Sequence, residues 1–167
     1  TYTGNGAMTL DKFPNDGDFA TNYAILTLDL SSYTTSTSLE LSFYWADHAD
    51  EDQPDDKVWI RGSNTDSWVE IYDLDPVSNP NNTYTKVDGL DIDATLAGAG
   101  QTVSSTFQIR FGQKDNSFTP GDGLSFDDIE VQDAPSCSPP INLTAANVGD
   151  NSADLGWTDT NGGTSWD

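Results

Sequence analysis

The residues able to do chemistry fall into three groups along the 167-residue chain. The first is Asp127-Asp128, in a stretch that alternates like a strand. Consecutive strand residues point to opposite faces, so one of the two faces inward unless a bulge intervenes. An inward carboxylate is costly to bury without a partner, and the chain offers only 6 basic residues. Calcium takes six to eight hard oxygens, chiefly from carboxylates, carbonyls and water. The N-terminal segment supplies Asp11, Asp16 and Asp18, the last two in the turn Asn15-Asp16-Gly17-Asp18. The expectation is one structural calcium held by Asp11, Asp16, Asp18, Asp127 and Asp128. The alternative is that Asp128 accepts hydrogen bonds from backbone N–H groups. The later acidic residues of an EF-hand are lacking.

The second group is the loop Ala46–Asp56, with Asp47, His48, Asp50, Glu51, Asp52, Asp55 and Asp56. These carboxylates repel one another unless solvated or metal-bound, so the loop reads as exposed, with a second calcium as the alternative. His48 is the single histidine. Zinc would need more nitrogen or sulfur ligands than it and Cys137 supply.

The third group is Lys57-Val58-Trp59-Ile60-Arg61. With Val58 and Ile60 inward, Lys57, Trp59 and Arg61 share the outer face, and Arg110 points out likewise from between Ile109 and Phe111. Flat aromatics cover the apolar face of a sugar, and arginine grips sulfate or carboxylate with two parallel hydrogen bonds. Lys57, Trp59, Arg61 and Arg110 are thus the candidate binding residues for an acidic polysaccharide. Trp68 and Tyr72 form a second aromatic platform. The competing reading is that Lys57 and Arg61 pair with cross-strand acids such as Glu70.

No catalytic constellation stands out. Any pair drawn from 28 acids carries no information, and every Ser/His/Asp arrangement would depend on His48. No enzyme activity is expected.

The net charge of -22 repels phosphate backbones and anionic lipid surfaces, so neither nucleic acid nor membrane insertion is expected. No run approaches the roughly 18–20 apolar residues that span a bilayer. A single cysteine, Cys137, excludes an internal disulfide.

Alternation with period two recurs throughout, as in Leu26/Leu28/Leu30, Leu39/Leu41/Phe43/Trp45, Val58/Ile60, Val69/Ile71 and Phe107/Ile109/Phe111. Turn sequences such as Pro120-Gly121-Asp122-Gly123 separate these runs, and 91–100 is expected to form one helical turn. Short strands without intervening helices predict an all-β, antiparallel jelly-roll β-sandwich, concanavalin-like or galactose-binding-like. Residues 134–140 contain three prolines and read as a linker. Alternation resumes at Leu143, Ala145, Ala153, Leu155 and Trp157.

Three segments carry a family resemblance: Gly4–Leu10, Leu39–Trp45 and Gly121–Val131 with its Asp-Asp-Ile. Residues 1–133 resemble the MAM-like jelly-roll modules of secreted, multi-domain bacterial proteins, without the paired cysteines of animal MAM domains. Residues 141–167, with Pro139-Pro140-Ile141-Asn142-Leu143 and Asp154-Leu155-Gly156-Trp157, resemble the first strands of a fibronectin type III domain. The combination looks like part of a large exported Bacteroidetes protein. The resemblance implies a non-catalytic accessory module of a secreted or cell-surface protein. Its expected partners are a polysaccharide or cell-surface glycan and the neighbouring domains of the same polypeptide. The alternatives are a structural or adhesive spacer and a protein-substrate docking module of a secreted protease.

Overall fold

The computed structural model describes residues 1–11, 20–33, 38–49, 53–74, 82–115, 121–134 and 141–158. The chain forms two compact units, Thr1–Ala134 and Pro135–Asp167. The first is an antiparallel β-sandwich. One sheet has the order β1-β8-β3-β6, from Met8–Leu10, Leu124–Asp133, Leu39–Asp47 and Thr85–Asp91. The other has the order β2-β7-β4-β5, from Ala20–Leu28, Phe107–Asp115, Lys57–Arg61 and Val69–Asp73.

Alternation puts Leu39, Leu41, Phe43 and Trp45 of β3 inside, opposite Val58, Ile60, Phe107, Ile109 and Phe111 of the second sheet, and all are buried. Phe43 meets Phe111 edge-on at 5.5 Å, and Phe111 lies 4.8 Å from Phe126. These rings supply large apolar area to a core only two sheets thick. Along β2 the expected inward set thins out: Leu30, just past its end, is buried, but Leu26 is 38% exposed. β2 is an edge strand, so its inward side chains are covered from one side only. The expected helical turn is α1, Ile92–Gly98, capped by Asp91, whose carboxylate accepts from Ala94 N at 2.8 Å. Ile92 and Leu96 anchor it to the core.

Three register shifts interrupt the sandwich, on β6, β8 and β5, and the last two change the parity of candidate residues. Opposite Ser42 and Tyr44 of β3 the register of β8 shifts, and Asp128 takes the left-handed region at φ 47. Neither aspartate of the pair then enters the core. Asp127 accepts from Tyr2 N at 2.6 Å, Thr3 N at 3.3 Å and Asp128 N at 2.9 Å. Asp128 accepts from the Thr3 hydroxyl. The alternative of backbone hydrogen bonding therefore describes Asp127, and the pair straps residues 2–3 along the sheet, where Tyr2 stacks on Tyr44 at 3.7 Å. The bulge on β5, opposite Val58 and Trp59 of β4, leaves Ile71 without a register partner.

The second unit is a two-stranded antiparallel sheet, β9 (Ile141–Ala146) with β10 (Asp154–Thr158). Leu143, Leu155 and Trp157 are exposed. This pair has no core of its own.

Burial works against ionisation of Asp127, but the N–H groups of Tyr2, Asp128 and Thr3 outweigh it and hold its pKa below the ordinary carboxylate value. Stability from a depressed carboxylate is present above the unfolded pKa, about 3.9, and is lost as pH falls through the lower folded value. Acidification through that window is expected to free the amides of Tyr2 and Thr3, read as accelerated hydrogen exchange. Asp127→Asn should free them at neutral pH and abolish the pH dependence.

Candidate functional site

The outer face of the second sheet gathers cations and aromatic rings. β7 and β4 pair so that Arg110 lies beside Trp59 and Gln108 beside Arg61, while β2 sets Tyr23 beside Gly112. Trp68 reaches over the same face from just before β5. The Arg110 guanidinium lies 4.1 Å from the Trp59 ring centroid, 4.5 Å from Tyr23 and 4.5 Å from Trp68. Tyr23 meets Trp59 edge-on at 6.0 Å. Arg61 packs 4.3 Å over Trp68, bonds Gln108 Oε1 through both Nε and Nη2, and donates from Nη1 to the Asp66 carbonyl.

Gly112 makes this packing possible. A Cβ there would strike the Trp59 ring and crowd Tyr23. The bare backbone lets the indole lie against β7, where its face meets Arg110.

Among the described residues, no carboxylate lies within salt-bridge distance of Arg110 or Arg61. Arg110 Nε is buried and meets no acceptor there. Burial pushes the Arg110 pKa down, Tyr23 raises it, Arg61 lowers it and Asp55 raises it. An arginine remains charged under such shifts. Its Nε–H is therefore short of an acceptor among the described residues, while its faces are covered by rings.

Lys57 behaves differently. Its ammonium bonds Glu70 at 2.9 Å and Asp73 at 3.2 Å. Glu70, against the opposing effect of burial and with help from Asp73, raises its pKa. The cross-strand pairing reading thus describes Lys57 but not Arg61. Tyr72 is also set apart from Trp68. The β5 bulge turns it to the inner face beside Val58, where it meets Phe43 edge-on at 6.0 Å and burial raises its pKa. Tyr23, absent from the sequence reading, completes the cluster. Its signal was its parity with Ile25 on β2, opposite the outward residues of β7.

A second constellation lies at one end of the sandwich. The inward parity of β7 continues from Phe111 through Gln113 to Asp115, and both are fully buried. Asp115 meets Asp122, also buried, and half-buried Asp11, with one carboxylate oxygen of each within 4.8 Å of the others. Gly123 permits this approach, because a Cβ there would strike the Leu10 carbonyl and the Asp11 backbone. Asp11 Oδ2 accepts from Gly121 N at 3.0 Å, and buried Oδ1 meets no hydrogen-bond donor among the described residues. The expected N-terminal ligand Asp11 is thus brought to Asp115 and Asp122 and not to Asp127 and Asp128. Asp16 and Asp18 lie outside the described residues.

The acidic loop is tied down where it is described. Asp56 is buried and accepts from Gln53 N at 2.8 Å and Lys114 N at 2.7 Å. Asp50, Glu51 and Asp52 lie outside the described residues. His48 bridges strands: Nδ1 lies 2.6 Å from Asn82 Oδ1 and Nε2 2.8 Å from Ser125 Oγ. Ser125 is 4% exposed, and its hydroxyl also bonds Thr9 Oγ1 at 2.9 Å. The arrangement resembles a nucleophile with its base and orienting amide, but a covered hydroxyl shared with Thr9 makes it a staple between β1, β3 and β8.

No family model matches the chain, and no curated protein matches it. The reading of function therefore rests on this geometry.

Gly112→Ala is expected to lift Trp59 off β7. Overpacking of this kind costs about 1–3 kcal/mol, measurable by chemical denaturation, with loss of near-ultraviolet dichroism from the stacked rings.

Proposed function

We propose that residues 1–134 are a non-catalytic, carbohydrate-binding accessory module of a secreted or cell-surface protein, recognising acidic or sulfated polysaccharide and stabilised by calcium. The observation that carries this reading is Arg110, held among Tyr23, Trp59 and Trp68 with no carboxylate within salt-bridge distance among the described residues. In a chain of net charge -22, a partnered arginine would be the default. An arginine fixed by stacking keeps its planar edge for a ligand anion, and pre-positioning lowers the entropy lost on binding. Sulfate or carboxylate would meet Arg110, and the exposed part of Tyr23 would cover an apolar sugar face.

Asp11, Asp115 and Asp122 are the residues that would hold the calcium. Oxygens on opposite sides of one Ca²⁺ sit about 4.6–5.2 Å apart, and the three carboxylates converge within 4.8 Å. The ion would supply charge compensation and tie the segment after β1 to the ends of β7 and β8.

The same reading takes the module as MAM-like, with residues 141–167 as the opening of a fibronectin type III neighbour. Its partners are then the glycan and the adjoining domains of one polypeptide. The exposed apolar face of β9 and β10 agrees with an Ig-like pair awaiting further strands.

Affinity electrophoresis in gels containing neutral or sulfated polysaccharide tests the ligand class. Retardation by sulfated or uronic-acid polymers is expected, and Arg110→Ala should abolish it. No retardation in any gel would remove the binding reading and leave the spacer. Independently, added Ca²⁺ should raise the melting temperature and chelation lower it. At a hundred times Kd the gain is about 2.7 kcal/mol. Asp115→Asn with Asp122→Asn should erase the difference.

A further inference from the structure

We propose that the edge of β2 that no described strand pairs is a self-association edge, at which a second copy of this chain adds its own β2 antiparallel. The sandwich has four edge strands. β1 is three residues long. β5 carries Glu70 and Asp73, and β6 carries Lys86, Asp88 and Asp91. Charges and shortness are the devices that keep sheet edges from pairing. β2 has neither. Its nine residues, Ala20–Leu28, include no charge, proline or glycine. Tyr23 is 47% exposed, Ile25 52% and Leu26 38%.

Electrostatics selects this edge. Two copies of net charge -22 repel over most of their surfaces. β2 is the longest of the four edges and approaches its twin with no charged side chain at all. The strand is also self-complementary. A two-fold axis through Ala24, perpendicular to the sheet, sets Tyr23 opposite Ile25 of the second copy and Ile25 opposite its Tyr23. Aromatic and β-branched side chains are favourable cross-strand pairs. The same axis sets Thr21 opposite Thr27, and the N–H and C=O groups that no described strand pairs meet across it.

Pairing joins two four-stranded sheets into one of eight and keeps both outer faces on one side. Tyr23 already packs against Trp59 and Arg110. The dimer would therefore present two arginine–aromatic clusters on one surface, so a long polymer would be held at two points with the gain of multivalency. That consequence rests on the glycan reading; the dimer does not.

Sedimentation of the full chain, from micromolar to millimolar, tests the proposal. The mass is expected to approach twice that of the monomer, at lower concentration in high salt because screening weakens the repulsion. Hydrogen exchange of the unaltered chain should slow in residues 20–28 as the dimer forms. The double variant Thr21→Glu, Thr27→Glu sets acids opposite one another across the axis and should stay monomeric with unchanged near-ultraviolet dichroism. A monomer at every concentration and salt would overturn the proposal. So would a dimer whose protection lies outside 20–28, or one that forms equally well in the folded double variant.

Discussion

Six basic side chains share this chain with 28 acidic ones. Most carboxylates must therefore be satisfied by water, by backbone N–H groups or by a cation from outside. The fold solves this repeatedly with the backbone. Asp127 holds the N-terminal strap, Asp56 the end of the acidic loop, Asp91 the start of α1, and Asp93 the amide of Leu39. Asp127, Asp56 and Asp93 thereby join segments distant in sequence. Where three converge at Asp11, Asp115 and Asp122, a divalent ion is the partner we propose.

The same scarcity gives the positive residues their meaning. Lys57, Lys86 and Lys114 have carboxylates within reach. Arg61 and Arg110 are instead placed on aromatic rings, on one face of one sheet. Desolvation of Arg110 is only partly offset by the rings, and a structural role alone would be served as well by an uncharged side chain of similar shape. An anion arriving from solution would complete its hydrogen bonding.

Much of this was legible in residue order. β3, β4 and β7 alternate cleanly, so their inner and outer residues, including Arg61 and Arg110, follow from parity. Two bulges were not legible, because an extra residue reverses parity without changing composition. One turned Tyr72 into the core, and the other kept Asp127 and Asp128 out of it. Asp115 and Asp122 went unnoticed for different reasons. Asp115 is the inward continuation of Phe107, Ile109 and Phe111, but a carboxylate at the end of an apolar run gives no sign of burial by composition. Asp122 sits in a turn, where acids are ordinary. His48, in a stretch of acids, gave no sign of its contacts with Asn82 and Ser125, which depend on three strands meeting.

The central claim is that Arg110 and its rings await an anionic sugar. Tryptophan emission reports it directly, since Trp59 and Trp68 flank the guanidinium. Titration with a sulfated polysaccharide should change the emission saturably, with reversal by salt and no response to the desulfated polymer. An equal response to both polymers, or none to either, would contradict the account.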